Sequence, residues 1–389
     1  MQTASDRALT SACNHGPKAA CRRFVFVDPP SAFAFSRNHP FERVGDMAQV
    51  YFLIPGLIPG PAARGKIAPD AIARLKKNLG RLTDDPTLQS LGSPVFSKSV
   101  HLSWLWSVLT RRPLPFTGAP YAWAVQNGPM LSGDIWAIDL CSRTEGRLAH
   151  AALTHEQLEA ACAALTPVLQ RYGFVLQRWD PHLYLTRKQP LKAAAAPFEV
   201  PATQAGDTER WIEGEEKPLL LELIASCEEA LASVDSSART VWLSMGGGDF
   251  AYVYPPTKIR SVLTDNETVK GWALAAGILL QRIGPVTGAA AWPEDAPQGE
   301  CIALIETLYE PWLRQDWAAW QAGIETVCER VETLSAAARR KGCDSALFVG
   351  TGEGFTVSCP KKLSKVTGLL ARLAGGEINP ETILYAENC

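Results

Sequence analysis

The sequence predicts an α/β protein with a mostly parallel or mixed central sheet that is covered by helices on both faces. Two observations support this prediction. Short, continuously apolar runs, typical of strands buried on both faces, are separated by amphipathic helical segments. In the middle of the chain, a strand, a helix and two further strands interrupt this order, which is typical of a small inserted α+β unit.

The composition excludes several classes of function. The 389 residues include 38 Lys and Arg and 40 Asp and Glu, and neither sign forms a long run. Nucleic acids and membrane surfaces are therefore not expected partners, because both attract basic patches. No apolar stretch approaches the roughly 20 residues of a membrane-spanning helix. The ten cysteines form no CxxC pair, which is typical of free thiols, so we expect a cytoplasmic protein.

The first 46 residues show neither helical nor strand periodicity. Their one apolar patch, "FVFV", is short, and acidic residues are present, so a targeting segment is not expected. Met47 directly precedes the first convincing strand. We therefore expect residues 1–46 to be a disordered tail or a gene-start error, with translation beginning at Met47.

Two blocks, residues 47–118 and 207–389, are predicted to form the α/β core. Apolar runs alternate here with helical stripes at spacings of three and four. Thr264 and Glu267 predict a capping box at the start of one helix. The predicted elements are strand 49–54, a helix from Pro69, helices 98–111 and 218–233, the strand "TVWLSM", helix 265–283, the strand "CIALIETL", a Trp-rich helix 311–331, a hairpin in "SALFVGTGEGFTVS" and a last helix 360–374.

Residues 119–206 are predicted to form the inserted α+β cap. The run "GDIWAIDLCS" alternates as a strand, and a helix follows with a Thr154–Gln157 capping box and a stop at Gly173. Two further strands, "FVLQRW" and "HLYLTRK", complete this unit before an Ala- and Pro-rich linker.

The segment "MGGGDF" follows a predicted strand and is a candidate ligand loop. Three glycines expose backbone N–H groups to an anion, and Asp249 could hold a cation or cap a helix. The next helical signal is some fifteen residues away, so the strand–loop–helix context of a phosphate loop is missing. A tight turn is the favoured interpretation, and a ligand-contacting loop stays open.

The histidines restrict the possible metal sites. The last of the six is at position 182, so the final 207 residues (389 minus 182) contain none. A zinc site in that half would have to use carboxylates and thiols alone. His101 lies between hydrophobic residues of a predicted helix and is interpreted as a structural imidazole.

Several segments occur in the order found in a known family. They are "LIPG" after the first strand, "GDIWAIDLCS", "TVWLSMGGG", "TVKGWALAAGI" and "IETLYEPWL". Over roughly residues 47–340 this order resembles the archaeal-type cofactor-independent phosphoglycerate mutases of the alkaline-phosphatase superfamily. It is more similar still to a bacterial offshoot, the regulatory-protein RpfE type. The resemblance implies an alkaline-phosphatase-like core with a small inserted cap.

The chain departs from that family at its metal ligands. The resemblance places Pro55 where the mutases have a metal-binding Asp, and Tyr309 and Leu313 where they have a metal-binding Asp and His. Ser97 is the candidate relic nucleophile, although a Ser before a helix is equally an N-cap. Phosphoryl transfer on this scaffold depends on two divalent ions. The resemblance therefore implies no metal, no cofactor and no functioning catalytic residue.

We predict from this a metal-free, catalytically inactive relative of phosphoglycerate mutase that acts as a regulatory or metabolite-binding protein. Its expected ligand is an anionic or phosphorylated small molecule, and a protein partner is a further option. The candidate ligand-binding residues are Pro55, Gly56, Gly246, Gly247, Gly248 and Asp249.

Two alternatives stay open. The first is an active phosphomutase or phosphatase with relocated metal ligands such as Asp249, Glu306, Glu310 and Asp316. The second is a protein-interaction scaffold whose Trp-rich helix 311–331 faces a partner. The apolar stripe of that helix, at spacings of three and four, is also typical of a core helix.

Overall fold

The computed structural model describes residues 49–79, 94–111, 117–128, 133–179, 182–248, 250–253, 258–286, 300–340, 342–343, 345–353 and 356–362. These residues all belong to one compact unit. The predicted N-terminal tail, Asp249 and most of the predicted last helix lie outside the described residues.

Six strands form the central sheet. Their order across the sheet is β10 (Ile283–Gly284), β9 (Ile259–Leu263), β11 (Glu300–Leu304), β1 (Gln49–Ile54), β12 (Ser345–Thr351) and β13 (Thr356–Lys362). Every neighbouring pair is parallel except β12 and β13, which form the predicted hairpin. The predicted α/β class with a mostly parallel sheet is confirmed.

Helices cover both faces of this sheet, because successive side chains of a strand point to opposite faces. Val50, Phe52 and Ile54 of β1 pack in one hydrophobic cluster, and Leu53 packs in the other. The first cluster includes residues of α1 (Pro69–Leu79), α8 (Tyr309–Arg314) and α9 (Trp317–Arg340). The second includes residues of α2 (Val100–Thr110), α3 (Ala119–Asn127) and α7 (Glu267–Ala275).

A second, antiparallel sheet contains the strands of the predicted insert. Its order is β3 (Arg147–His150), β2 (Asp134–Thr144), β5 (His182–Arg187) and β4 (Phe174–Trp179). Helices α4 (His155–Arg171) and α6 (Lys217–Ala232) share a hydrophobic cluster with one face of this sheet. The Thr154–Gln157 capping box at the start of α4 is confirmed.

The strand "TVWLSM" was predicted for the core sheet, and this prediction is wrong. It forms β8 (Thr240–Ser244), which pairs with β2 in antiparallel register, Asp139 lying opposite Trp242. All five residues of β8 are buried. Its sequence therefore shows the continuous apolar run of a core strand although its partner lies in the other sheet. The second sheet thus extends beyond the predicted boundary at residue 206.

Three helix predictions need correction. The predicted Trp-rich helix 311–331 is two helices, α8 and α9, which are separated at Gln315, a residue with a φ of 56°. The predicted helix 265–283 ends at Ala275, and a short 3-10 turn, Leu280–Arg282, leads from there to β10. Its N-cap is Asn266 rather than Thr264, since the Asn266 side chain accepts from the backbone N–H of Val269. The predicted last helix cannot begin at residue 360, because β13 remains paired with β12 as far as Lys362.

The remaining strands and the remaining helix lie between β5 and α6 along the chain. They are a short ribbon of β6 (Ala194–Ala195) and β7 (Ile212–Glu213) and the short helix α5 (Glu199–Thr203). In the part of the chain that the structure describes, no helix combines the length and the apolar character needed to cross a membrane.

Candidate functional site

The parallel strands β9, β11, β1 and β12 end at one edge of the central sheet, where α/β proteins commonly place their sites. The chain leaves β1 through Pro55 and Gly56, and both residues are buried. A Cβ added to Gly56 would lie 2.8 Å from the Cβ of Trp312 and 2.9 Å from the carbonyl oxygen of Leu308. The Gly56 carbonyl accepts a hydrogen bond from Trp320 Nε1 at 2.8 Å. Gly56 is therefore packed against residues of α8 and α9, and Pro55 beside it is buried; that the two residues bind a ligand stays a prediction.

In the predicted glycine loop, Gly246 and Gly247 are buried and Gly248 is half-buried. A Cβ added to Gly246 would lie only 1.7 Å from the Trp136 ring, so the backbone at this position rests directly on the indole. Gly247 and Gly248 have φ values of 115° and 70°, which only glycine adopts without strain. The N–H of Gly248 donates to Oδ1 of Asp134 at 2.8 Å.

The anion held at this loop is the protein's own carboxylate. Asp134 is fully buried and accepts hydrogen bonds at 2.8 Å from Trp136 Nε1, from the Leu191 backbone and from the Gly248 backbone. Burial raises the pKa of Asp134, and these hydrogen bonds act in the opposite direction. The loop is therefore the tight turn favoured by its sequence. Asp249, the remaining predicted residue of the loop, lies outside the described residues.

Ser97, the candidate relic nucleophile, lies half-buried in the 3-10 turn Pro94–Ser99. The alternative that Ser97 caps the following helix is wrong, because Ser99 occupies the N-cap position of α2. The Ser99 side chain makes no cap hydrogen bond and instead lies 3.0 Å from the hydroxyl of Tyr309. The buried hydroxyl groups of Ser99 and Tyr309 are therefore within hydrogen-bond distance of each other.

The rest of this closed edge is also internally paired. Lys98 forms an ion pair with Glu353 after β12, and its ammonium group lies 5.1 Å from the Trp312 ring centre. Burial, more than any neighbouring charge, raises the pKa of Tyr309, so its hydroxyl stays neutral. The polar groups named at this end of β1 and β12 therefore satisfy one another.

Glu306, directly after β11, differs from these paired groups because water reaches it. Its side chain is 30% exposed, and Oε1 accepts a hydrogen bond from Asn266 Nδ2 at 3.2 Å. Burial and then the charges of Glu199 and Asp265 raise the pKa of Glu306 to about 7. The Glu306 carboxyl group is therefore both reached by water and desolvated by the protein atoms around it.

His101 lies beside Glu306 and is only 1% exposed. Its Nε2 is 3.8 Å from Oε1 of Glu306, and its ring meets the edge of Tyr309 at a centroid distance of 4.6 Å. Burial lowers the pKa of His101 to about 3, so the imidazole is neutral at physiological pH and this contact is not an ion pair. Nδ1 of His101 is buried without a hydrogen-bond partner. The imidazole interpreted from sequence as structural therefore has one unsatisfied nitrogen.

The second sheet carries Asp139 and Tyr184 on one of its faces. Because side chains alternate along a strand, Asp139 points to the face that also carries Trp242, its partner on β8. Tyr184 of β5, opposite Ala137, belongs to the same face. The pKa of Tyr184 is raised to about 12 by burial and then by the charges of Glu267 and Asp139. The charges that act on Tyr184 thus come from Glu267 of the core helix α7 and from Asp139 of the second sheet.

The charge of Glu199 acts on Asp139 of the second sheet and on Glu306, which follows β11 of the central sheet. Burial and then the Glu199 charge raise the pKa of Asp139 to about 7, although 26% of the Asp139 side chain is exposed. The same Glu199 charge raises the pKa of Glu306. Burial also raises the pKa of Glu199 itself, a residue that is exposed to water. The charges of Asp139, Glu199 and Glu306 therefore act on one another, and the region around these three partly or fully exposed carboxylates is named here the carboxylate cleft.

The carboxylate cleft is not arranged as a metal site. Among the described ranges, no three His, Cys, Asp or Glu side chains converge on a point that could hold a metal ion. At neutral pH, Asp139 and Glu306 are each partly protonated, since their pKa values are about 7. The arrangement can therefore accept hydrogen bonds, donate them from a protonated carboxyl group, and attract positive charge.

Sequence reasoning named Glu306 only within an alternative and missed Asp139 and Glu199. Asp139 gave a usable signal, because it is a charged residue between the apolar Ile138 and Leu140 of a predicted strand. Glu199 gave none, since it lies in a segment interpreted as a linker. His101 was noted, but the sequence does not show which imidazole nitrogen lacks a partner.

Comparison with known proteins leaves the site to be interpreted from its own geometry. No protein-family model matches the chain, and no curated protein matches it. Among solved structures, the chain is similar to the PH0037 protein of Pyrococcus horikoshii, with 12% identity, a TM-score of 0.43, and coverage of 81% of this chain and 87% of that one. It is also similar to the cofactor-independent phosphoglycerate mutase of Thermoplasma acidophilum, with 10% identity, a TM-score of 0.35, and coverage of 83% and 91%. At these values the likeness carries no argument about activity.

Proposed function

We propose that this chain is a non-catalytic relative of the phosphoglycerate mutases that its sequence resembles, and that it binds a small molecule in the carboxylate cleft. The observation that carries the proposal is the closed end of β1. There, the buried Pro55 stands where the resemblance places the first metal ligand of the family, and Gly56 next to it is packed against Trp312 and Leu308.

Metal binding on this scaffold would need charged ligand side chains. Phosphoryl transfer between oxygens on this scaffold needs two divalent ions to hold the attacking and leaving groups. Pro55 offers no ligand atom from its side chain, and the buried Tyr309 hydroxyl is neutral and bonded to Ser99. In the described part of the chain no three potential ligands converge, which supports a protein without a dication cradle.

The alternative of relocated ligands receives little support from the residues that it needs. Glu310 forms an ion pair with Arg314 within α8. Asp316 accepts a hydrogen bond from the backbone N–H of Ala319 at 3.0 Å at the start of α9. Glu306 alone lies in the carboxylate cleft, and Asp249 is outside the described residues. Glu310 and Asp316 thus already have structural roles.

The scaffold alternative required the apolar stripe of the Trp-rich helix to face a partner. Trp317 and Trp320 are 7% and 0% exposed, and both pack in the cluster that includes β1. This stripe is therefore already covered by the chain itself. A regulatory role and membership of the RpfE type stay predictions.

The proposal is tested on the full-length protein after loading with Mn²⁺ or Zn²⁺. We expect no stoichiometric metal after gel filtration, no hydrolysis of p-nitrophenyl phosphate, and no interconversion of 2- and 3-phosphoglycerate. Metal-dependent turnover that Ser97→Ala abolishes would overturn the proposal. Ser233→Ala, an exposed serine at the end of α6, is the matched control and should leave any turnover unchanged.

A further inference from the structure

We propose that β4, at one edge of the second sheet, pairs with β4 of a second copy of this chain across a twofold axis at Gln177. The second sheets of the two copies would then join into one continuous antiparallel sheet. This inference goes beyond the proposed function and does not rest on it, because β4 carries none of the residues named for ligand binding.

Strand β4 has a partner strand on one side only. Over the described residues it pairs with β5 and with no other strand. Only two residues separate Trp179 from His182, its partner on β5, and the pair that flanks such a short hairpin loop is hydrogen-bonded. Because bonded and non-bonded pairs alternate, the backbone N–H and C=O groups of residues 174, 176 and 178 point away from β5. They form an open edge that can accept a further strand.

The other edge strands that the structure describes are protected from such pairing. Strand β13 ends in Pro360, Lys361 and Lys362, and proline and lysine are residues that prevent edge pairing. Strand β10 has only two residues and β3 only four. Strand β4 has six residues without proline or lysine, and its one charged side chain, Arg178, is paired with Glu159 of α4. Of these four strands, β4 is therefore the one suited to pairing.

The side chains on one face of β4 are apolar and exposed. Val175 is 51% exposed and Trp179 is 43% exposed, and both point to the same face as Gln177 because side chains alternate along a strand. Phe174 and Leu176, on the opposite face, pack in the cluster that includes α4. The covered face fixes the strand in the fold, and the exposed face leaves two large apolar side chains at the open edge.

The Trp179 ring is already held in place. Trp123 meets it edge to face at a centroid distance of 5.4 Å, and Trp123 is itself only 8% exposed. A second strand that covers Trp179 therefore pays little side-chain entropy, since the ring is ordered before the contact forms.

The alternation of backbone groups selects the register of the pair. Outward-pointing residues must lie opposite outward-pointing residues, so the twofold axis of an antiparallel pair passes through a single residue. An axis at Gln177 places Val175 opposite the partner's Trp179, and symmetry repeats this contact. An axis at any other residue of β4 breaks both contacts. A β-branched residue opposite an aromatic one is a favourable cross-strand pair.

This self-complementarity favours a second copy over a different protein as the partner. In the register with Gln177 on the axis, Arg178 lies opposite the partner's Leu176, so no like charges face each other. The same short segment supplies both sides of the contact, as in the closed twofold interfaces of most homodimers. Because the contact is limited to one strand from each copy, we expect a dissociation constant on the order of micromolar.

The first test is sedimentation velocity of the full chain over roughly 1–300 µM, since a dimer dissociates on dilution by mass action. We expect a shift from monomer to dimer as the concentration rises. Gln177→Lys places two ammonium groups opposite each other on the axis and should weaken the dimer about tenfold or more. Trp179→Ala removes both aromatic contacts and should weaken it about tenfold. Gln281→Lys, at an exposed glutamine before β10 of the central sheet, should stay within about twofold of the parent.

The second test is disulfide cross-linking, which reads the register directly. Gln177 lies opposite its own copy in a non-hydrogen-bonded pair, for which the Cα atoms are about 4.5 Å apart, a distance that a disulfide can span. After mild oxidation, Gln177→Cys should run as a covalent dimer on a non-reducing gel. Val175→Cys should give no more dimer than the parent, because its two copies lie about 14 Å apart along the strands. The parent and Gln281→Cys control for the ten native cysteines.

A chain that is monomeric at every concentration would overturn the inference. A dimer that forms equally well with Gln177→Lys, or in which Gln177→Cys cross-links no better than Val175→Cys, would also overturn it, because the contact would then lie elsewhere. Far-UV circular dichroism of each variant checks that the fold is kept, and the cross-linking result decides if Gln177→Lys does not fold.

Discussion

Strand β2 carries two aspartates, five residues apart, in opposite situations. Asp134 is fully buried and accepts three hydrogen bonds at 2.8 Å. Asp139 is partly exposed, and its nearest described basic atom is Nδ1 of His150 at 3.7 Å. Its carboxylate neighbour, Glu199, raises its pKa further. Burial raises the pKa of both groups, but hydrogen bonds oppose this rise at Asp134, whereas the Glu199 charge adds to it at Asp139.

This difference indicates which of the two regions is the better candidate for a binding site. A polar group whose donors and acceptors are all satisfied needs no ligand to explain its presence. Like charges held together in a cleft cost stability, and sites that carry such a cost are commonly functional. The glycine loops predicted as ligand contacts belong to the first class, and the carboxylate cleft belongs to the second.

The largest effect is expected at the glycine loop, which is packed on Trp136 and hydrogen-bonded to Asp134. Gly246→Ala would place a methyl group 1.7 Å from the Trp136 ring, so the loop and the indole must separate. We expect a loss of about 4 kcal/mol or more in the free energy of unfolding, measured by urea denaturation, or failure to accumulate as folded protein. Gly248→Ala is the control, since no atom lies within 4 Å of its added Cβ.

The control variant should still lose about 1 kcal/mol, because Gly248 has a φ of 70°. Equal losses in the two variants would contradict the packing argument and would leave only backbone strain as the cause.

The second prediction removes the carboxylate that the loop surrounds. Asp134→Asn turns one acceptor oxygen into a donor that faces an N–H group, so we expect about 2–3 kcal/mol of destabilisation. Urea denaturation at pH 7 measures this. Asp235→Asn, at an exposed aspartate, should change the free energy of unfolding by less than about 0.5 kcal/mol. A tolerated Asp134→Asn would show that the three hydrogen bonds are not needed.

The third prediction concerns pH and the carboxylate cleft. Folding raises the pKa values of Asp139 and Glu306 from 3.8 and 4.5 to about 7. Between these values the folded state binds more protons than the unfolded state, so their contribution to stability is full at low pH and is lost as pH rises through 7. His101 acts oppositely, because its pKa is lowered from 6.5 to about 3, and its contribution is lost as pH falls.

Asp139→Asn and Glu306→Gln isolate the carboxylate contribution. Relative to the parent, each variant should unfold with a similar free energy at pH 4 and with about 1–2 kcal/mol more at pH 8, a value that allows for the exposed part of each side chain. Urea denaturation at the two pH values measures the difference. A constant difference across this range would show that the two groups titrate normally.

The smallest effect is expected at the closed edge of the central sheet. Tyr309→Phe leaves the buried Ser99 hydroxyl without its partner at 3.0 Å and should cost about 1 kcal/mol. A double-mutant cycle with Ser99→Ala should give a coupling energy of about 0.5–1 kcal/mol in urea denaturation. A coupling energy of zero would show that these two hydroxyl groups do not stabilise each other.

Local patterns predicted much of the fold. The Thr154–Gln157 capping box and the buried stripe of α9 follow from spacing within a few residues. The strand β8 was assigned to the wrong sheet, because an apolar run reveals burial but not the partner strand. The glycine loop was interpreted partly as an anion site, and its anion proved to be Asp134, more than a hundred residues earlier in the chain.

The sequence by itself determined the α/β class, the Thr154–Gln157 capping box and the buried stripe of α9, because these depend on residue identity and short-range periodicity. Only the tertiary structure decided the carboxylate cleft. It brings together residues 139, 199 and 306 from a strand, a short helix and a strand end, each ordinary in its local sequence. Their repulsion and shared desolvation arise from proximity in space, which no local pattern contains.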